Sequence, residues 1–208
     1  MKVKKLTPRQ EESLRKRNLI YEEGVRLFRE YGFENTTIQD ICRATGTSVG
    51  SIYHFFGSGK DDILRMLAKS DISDCSYLVE ATPENINDPL SAIFNFFIAI
   101  ANGFDRLGVS LAKPLRELPP NELTGNRDDS LSALIEAAQK AGTFDDSISL
   151  KDASDYFFLA CEGMISTWIR RGGEETLVDY TKRFMPRLLE TFRRTPGHQS
   201  ETHDTENT

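Results

Sequence analysis

Two short amphipathic stretches joined by a glycine turn, within TTIQDICRATGTSVGSIYHFFGSGK (residues 36–60), constrain this chain more than any other feature. Ile38, Ile41, Cys42 and Thr45 recur at i, i+3, i+4 and i+7, the spacing of one helical face. Thr36 and Gln39 have the capping-box spacing that opens a helix. Gln39 and Arg43, four apart, share its outer face. The pattern stops near Ala44, and Gly46 suits the left-handed residue that ends a helix. Thr47 or Ser48 then caps a second helix, in which Val49, Ile52 and Phe56 point inward and Thr47, Ser51 and His54 outward. Two short helices around a glycine turn make a helix-turn-helix. The small, hydrogen-bonding outer face, with Gly50 admitting close backbone approach, suits a DNA major groove.

The flanks extend this unit. Thr7-Pro8-Arg9-Gln10 is a helix start, with a capping Thr, Pro at the first position and Gln three residues after the cap. The first helix is predicted from Pro8 to Tyr31, with Ile20, Gly24, Leu27 and Tyr31 as its core stripe. Gly32 stops it. Gly24 implies that another helix crosses closely there. Arg15, Lys16 and Arg17 are candidates for phosphate contact, and Lys2, Lys4 and Lys5 form a basic arm (residues 1–7) that reads equally as a solubilising terminus. Ser58 and Asp61 repeat the capping-box spacing and open a fourth helix expected to reach Val79. Ile63, Leu67 and Leu78 give it an apolar side. Its polar second half suits a connector (residues 61–80) between a head (residues 1–60) and a body (residues 81–194). A loop over Thr82 to Asn87 and a start at Asp88-Pro89 follow.

The body reads as all-α, for about nine helices in total. Leu90 to Phe104 is apolar on most faces and should be buried. Phe94, Phe97, Ile98 and Ala101 are candidates to line a small-molecule cavity with Phe157, Cys161, Met164 and Trp168, although plain core packing accounts for any one of them. A short helix over Val109 to Glu117 is broken by Pro119-Pro120, and Asn126 caps another that runs to Ala141 and closes at Gly142. Asp152 to Arg171 and Glu174 to Arg194 are long helices apolar on more than one side, with Pro186 kinking the last near Lys182. So much apolar surface points to a homodimer built as a four-helix arrangement, with Tyr156, Ala160, Leu177, Tyr180, Phe184 and Leu188 as interface candidates. Residues 195–208 form a polar tail expected to be disordered.

Charge follows the same division. Residues 1–60 hold 11 Lys and Arg against 7 Asp and Glu, while the remainder holds 15 against 25. A basic head on an acidic body fits a DNA-binding head carried by a body that does not bind DNA. No run of eighteen apolar residues suggests a membrane span, and no apolar stretch follows the basic N-terminus as a secretory signal requires. Cys42, Cys75 and Cys161 lack metal-site spacing, so a reduced, cytoplasmic chain without metal or cofactor is expected. Of three histidines, His198 and His203 lie in the tail and His54 in the outward helix face. The paired carboxylates (Asp61-Asp62, Asp128-Asp129, Asp145-Asp146, Glu174-Glu175) fall at helix starts or turns. An enzyme is not expected. The reading from another class is an all-α lipid- or small-molecule-binding adaptor without sequence-specific DNA binding.

From Arg17 to Leu67 the chain resembles the N-terminal domain of the TetR family of transcriptional repressors, through Ile20, Leu27, Phe28, Gly32, Phe33, Thr37, Ile41, Ala44, Gly46, Ser48, Gly50, Ile52, Tyr53, Phe56, Lys60 and Leu64. It departs from the family pattern at Gly24 and Cys42, where Ala is usual, at Thr47, where Val is usual, and at Gly59, which lengthens the turn before Lys60. A weaker likeness runs from Ala141 to Phe192. The resemblance implies a dimeric repressor on a palindromic operator, released by a small, mostly apolar effector. Carried over residue by residue, it assigns phosphate contacts to Thr37, Tyr53 and Lys60. Thr47, Ser48, Gly50, Ser51 and His54 face the bases, and Arg43 serves either role.

Overall fold

A computed structural model describes residues 6–73, 88–117 and 127–194. Among them the chain forms nine helices: α1 (Pro8–Tyr31), α2 (Ile38–Thr45), α3 (Val49–Phe55), α4 (Lys60–Ser73), α5 (Pro89–Leu107), α6 (Val109–Leu115), α7 (Arg127–Lys140), α8 (Leu150–Arg170) and α9 (Leu177–Thr191). The basic arm at Lys2, Lys4 and Lys5, the end of the fourth helix at Leu78 and Val79, the Thr82–Asn87 loop, Pro119-Pro120, the Asn126 cap and the tail lie outside the described residues. No single helix among the described residues is long and apolar enough to cross a membrane.

α1 begins where the Thr7–Gln10 box predicts. The Gln10 N–H donates to Thr7 Oγ1 at 3.3 Å, and the Thr7 N–H donates to Gln10 Oε1 at 2.9 Å. Ile20, Gly24, Leu27 and Phe28 are buried, but Tyr31 is 55% exposed. The inward stripe ends on Phe28, three residues before the expected Tyr31, and the Phe28 ring meets Phe33 edge-on at 5.1 Å. Gly24 does mark a close crossing, since a Cβ there would sit 3.1 Å from Ile63 Cδ1 of α4.

The start of α2 is also shifted by one residue. Thr37 caps the helix and pairs with Asp40, not Thr36 with Gln39. Both pairs have the right spacing. Thr36, however, is buried, and its hydroxyl donates back to Gly32 O at 2.8 Å, which removes it from competition. Gly46 takes the left-handed conformation at φ 65° and ψ 22°, and Ser48 caps α3. At α4 the Ser58–Asp61 box does not form. The Ser58 N–H donates instead to Asp62 Oδ2 at 2.8 Å, and α4 starts at Lys60 after Gly59 at φ 64°.

The second half of α4 is more than a solvated connector. Ile63, Leu64, Leu67, Ala68 and Ile72 are buried, and the helix packs on α1 and α5. Its last described turn lies against Gly103 of α5. A Cβ on Gly103 would meet Asp71 O at 2.6 Å and the Ile72 Cα at 2.9 Å, both backbone atoms. Two neighbours extend that joint. The Arg106 guanidinium donates to Asp71 O, and the Asp105 carboxylate accepts the Leu177 and Val178 N–H groups at 2.7 and 3.0 Å. One turn of α5 therefore holds the end of α4 on one side and caps α9 on the other. This external cap helps explain why α9 begins at Leu177 and not at Glu174, with Thr176 as its own N-cap.

The body core is ring against ring. Phe97 packs on Phe157 at 5.7 Å, Phe157 on Phe192 at 5.3 Å, and Phe144 stacks on Phe192 at 5.3 Å. Ser149 caps α8, which starts two residues before the expected Asp152. The turn into α9 is fixed by Trp168 Nε1 donating to Glu175 O at 2.9 Å.

Gly103→Ala is expected to destabilise the fold by about 1–3 kcal/mol, because neither backbone atom it meets can rotate away. Urea unfolding measures this, and a loss below about 0.5 kcal/mol would place the joint elsewhere. Asp62 offers a second check. Burial pushes its carboxyl up, but the Ser58 N–H and Arg65 outweigh this and hold it below its ordinary value of 3.8. A carboxylate depressed on folding stabilises above its unfolded pKa, and that contribution is lost as pH falls through the folded value. Asp62→Asn should therefore be less stable at neutral pH yet lose less on acidification from about pH 5 to pH 2. Equal acid sensitivity of the two proteins would contradict the pairing.

Candidate nucleic-acid interface

The outward side of the helix-turn-helix is built by caps. Ser48 Oγ accepts the Ser51 N–H at 3.3 Å and lies 3.0 Å from Ser51 Oγ. Thr47 Oγ1 lies 2.7 Å from Thr45 Oγ1, which ties the turn to the end of α2. Gly50 is exposed, and a Cβ there would meet nothing nearer than Ser48 Oγ at 4.0 Å. His54 is exposed with its ring edge-on to Phe55 at 4.9 Å. Thr47, Ser48, Gly50 and Ser51 thus gather at the start of α3, and His54 follows one turn on.

Val49 departs from the expected pattern. It is 42% exposed, whereas Ile52 and Phe56 are buried. Val49 stands at the first position of α3, before the helix has turned its side chain toward the core. The exposed isopropyl group offers an apolar surface of the kind suited to a thymine methyl. Only the position of the helix start, not its periodicity, signals this residue.

The three phosphate candidates cluster at the start of α2. The Tyr53 ring lies along Gly59, where a Cβ would sit 3.2 Å from Tyr53 Cε1 and 3.0 Å from Ile38 Cδ1. Gly59 is therefore needed twice, for its positive φ and for the absence of a side chain. The turn lengthened by Gly59 seats Tyr53 beside the first residue of α2, with the Tyr53 side chain 49% exposed. Lys60 is braced as well. Its Nζ donates to Phe33 O at 2.9 Å and Thr36 O at 3.3 Å and lies 4.2 Å from the Phe33 ring centroid. Two of its three N–H donors are thus taken by the α1–α2 loop.

Thr37 and Arg43 meet through Asp40. The Thr37 hydroxyl and N–H both donate to Asp40 Oδ2, and Arg43 pairs with Oδ1 at 3.0 Å. The Thr37 hydroxyl first, then its N–H and Arg43, hold the Asp40 carboxyl below the ordinary range. Arg43 is otherwise free to swing, with its side chain 78% exposed. Arg17, by contrast, is withdrawn from the surface role expected of it. Its guanidinium sits 5.4 Å from the Phe56 ring centroid and 3.3 Å from Met66 Sδ.

The body candidates do not surround one space. Phe97, Ala101, Phe157, Cys161 and Trp168 are buried in the core, and Phe94 and Ile98 are half-buried at its margin. Met164 instead lines a groove of about 500 Å³ between α8 and α9, with Ala160, Gly163, Tyr180, Phe184 and Leu188. Among the interface candidates, Ala160, Tyr180, Phe184 and Leu188 border this groove, and Tyr156 is exposed. Leu177 is buried within its own chain and has no surface to offer a partner, because Asp105 draws the start of α9 onto α5.

Residues 20–67 match the model of the bacterial regulatory proteins, tetR family. The uncharacterized HTH-type transcriptional regulator YxaF of Bacillus subtilis is 29% identical over 43% of this chain and 47% of its own length. The HTH-type transcriptional repressor AcnR of Corynebacterium efficiens is 31% identical over 59% of this chain and 62% of its own. The matches thus span about half to three-fifths of these relatives. Among solved structures, the TetR family regulator PfmR of Thermus thermophilus is 26% identical over 82% of this chain and 97% of its own, with a TM-score of 0.59. The T. thermophilus repressor FadR, solved with lauroyl-CoA, shares the fold at 17% identity over 92% of this chain and 100% of its own, with a TM-score of 0.65. With the helix-turn-helix geometry described above, these matches show that residues 20–67 form a DNA-binding domain of the bacterial tetR type.

Proposed function

We propose that this chain is a DNA-binding transcriptional repressor that grips a palindromic operator as a homodimer and is released by a small molecule. The observation that carries this reading is the outward face from Thr47 to His54. Its hydroxyls and exposed glycine are held in place by Ser48 capping, and Tyr53 is seated on Gly59 beside Thr37. Thr47, Ser48, Gly50, Ser51 and His54 read bases, with Val49 adding an apolar contact. Thr37 and Tyr53 bind phosphate, and Arg43 exchanges Asp40 for phosphate or base. Lys60 braces the α1–α2 loop and offers its remaining N–H to the backbone of DNA.

The effector enters the body by parting the aromatic cluster of Phe97 and Phe157. Phe94, Ile98 and Ala101 share α5 with Phe97, and Cys161, Met164 and Trp168 share α8 with Phe157, Met164 on its groove side. A mostly apolar ligand suits this lining; the FadR that shares the fold was solved with lauroyl-CoA, whose acyl chain is apolar. Binding there shifts the head only by its differential affinity for two arrangements of the body. The joint at Gly103, Asp105 and Arg106 is the link between α4 and α9 through which such a shift passes. The regulator acts in the cytoplasm, without a resident cofactor or catalytic role.

Selection of bound DNA from a random pool tests the reading, with enrichment of a palindrome as the expected result. No enrichment would return the chain to the class of helical adaptors. On the selected site, Tyr53→Phe should weaken binding by about 1.5–3 kcal/mol, since it removes a hydroxyl donated to a charged phosphate but keeps the ring on Gly59. Unchanged affinity would remove Tyr53 from the contact set. Leu188→Asp should give a folded monomer that binds the operator poorly, and a stable dimer carrying this change would move the interface off the α8–α9 groove.

A further inference from the structure

Asp71 belongs to two parts of the molecule at once. Its main chain is clamped by the body. The Arg106 guanidinium of α5 donates to its carbonyl oxygen, and that oxygen lies 2.6 Å from where a Cβ on Gly103 would stand. Its side chain faces the head. Arg29 Nη2 of α1 approaches Asp71 Oδ2 to 3.7 Å, too far for a hydrogen bond. Tyr21, eight residues before Arg29 on α1, feels the same carboxylate. Burial first, and the Asp71 charge second, push its hydroxyl above the ordinary value of 10.0.

This carboxylate is short of one donor. Asp71 Oδ2 is shielded from solvent and accepts no hydrogen bond among the described residues. A buried charged acceptor without a donor carries its desolvation cost uncompensated. The donor that would relieve it is about an ångström out of place, since charge-assisted N–H···O bonds close to about 2.7–2.9 Å. Side-chain freedom alone has not closed the gap. Elsewhere on α1 the flexible pairs have formed, with Arg26 reaching Glu23 at 2.9 Å and Glu30 at 2.6 Å. Arg29 stands in the last turn of α1 with its side chain 52% exposed, and the backbone it faces is held by Gly103 and Arg106. The side that is free to move is therefore the head.

We infer that Arg29 and Asp71 form a latch between head and body, open in the free chain and closed when the head grips its operator. This rests on the repressor reading above and deepens it. A head that must meet a groove at a fixed spacing needs a fixed angle to the body. Closing the pair supplies that angle, because Arg29 reaches Asp71 only when the end of α1 swings onto the end of α4. The unpaired oxygen of the free chain is relieved on closure, so the pair favours the operator-bound arrangement by interacting differently with the two states. The Asp71 main chain rides on α5 at Gly103. Whatever displaces that turn of the body withdraws the carboxylate from Arg29 and frees the head.

The full chain is tested on the selected operator by fluorescence anisotropy as Asp71→Asn, Arg29→Gln and the double variant, and without DNA by urea unfolding. Each single change should raise the operator dissociation constant about fivefold, and the double variant should bind no more weakly than the weaker single. Removing an acidic charge by itself favours binding to DNA, so weaker binding by Asp71→Asn is the mark of the latch. The free Asp71→Asn chain should be at least as stable as the parent, because the charge it loses was unpaired. Variants that bind as the parent does, single losses that add up in the double variant, or a free Asp71→Asn chain less stable than the parent would each overturn the latch and leave the operator reading standing. A parent that selects no operator overturns both.

Discussion

Gly103 lets the backbone of α5 touch the backbone of α4, and the rest of the architecture is arranged around that contact. Helix axes normally stand 8–10 Å apart because side chains hold them there. Here the missing side chain brings Asp71 O and the Ile72 Cα to where a Cβ would lie. The next turn adds Arg106 on the same carbonyl and Asp105 on the first amides of α9. The angle at which α4 leaves the body is therefore set jointly with the start of α9. α4 in turn carries the head, through Ile63 under Gly24 and Lys60 on the α1–α2 loop. Packed backbone and short polar contacts thus connect the body to the head that carries the recognition helix.

The head is held together for a related reason. Its helices are short, and isolated helices of seven or eight residues do not persist in water. Caps and cross-braces supply what length does not. Thr37 and Asp40 close α2, Ser48 closes α3, and Lys60, Arg17 and Gly59 tie both to α1 and α4. Several of these residues hold the frame and lie beside the DNA face, so one set of contacts both stabilises the reader and aims it.

Much of this was legible in residues 36–60. The helical period, the left-handed Gly46 and the Ser48 cap are local signals, and local signals survive folding. Most of the failures share one cause, which is that another partner, near or distant in sequence, outcompeted the one the spacing suggested. Thr36 and Thr37 offer the same capping spacing, and only the carbonyl of Gly32 decides between them. Arg17 and Lys60 look like free cations until Phe56, Phe33 and Thr36 are brought to them. Leu177 looks like interface until Asp105 pulls it onto α5. Gly103, inside the apolar run IANGF, gave no sign of the α4 backbone it admits. The cavity candidates were recognisable as aromatic, but their packing on one another is a property of the folded body.

In the proposed repressor the body sets the distance between two recognition helices. Hydroxyl-radical footprinting on the selected operator measures that distance on DNA. Two protected patches are expected on one face of the duplex, centred roughly 34–36 Å apart, one helical turn, or a whole multiple of it. A single patch, or two patches separated by a half-integral number of turns, would contradict it.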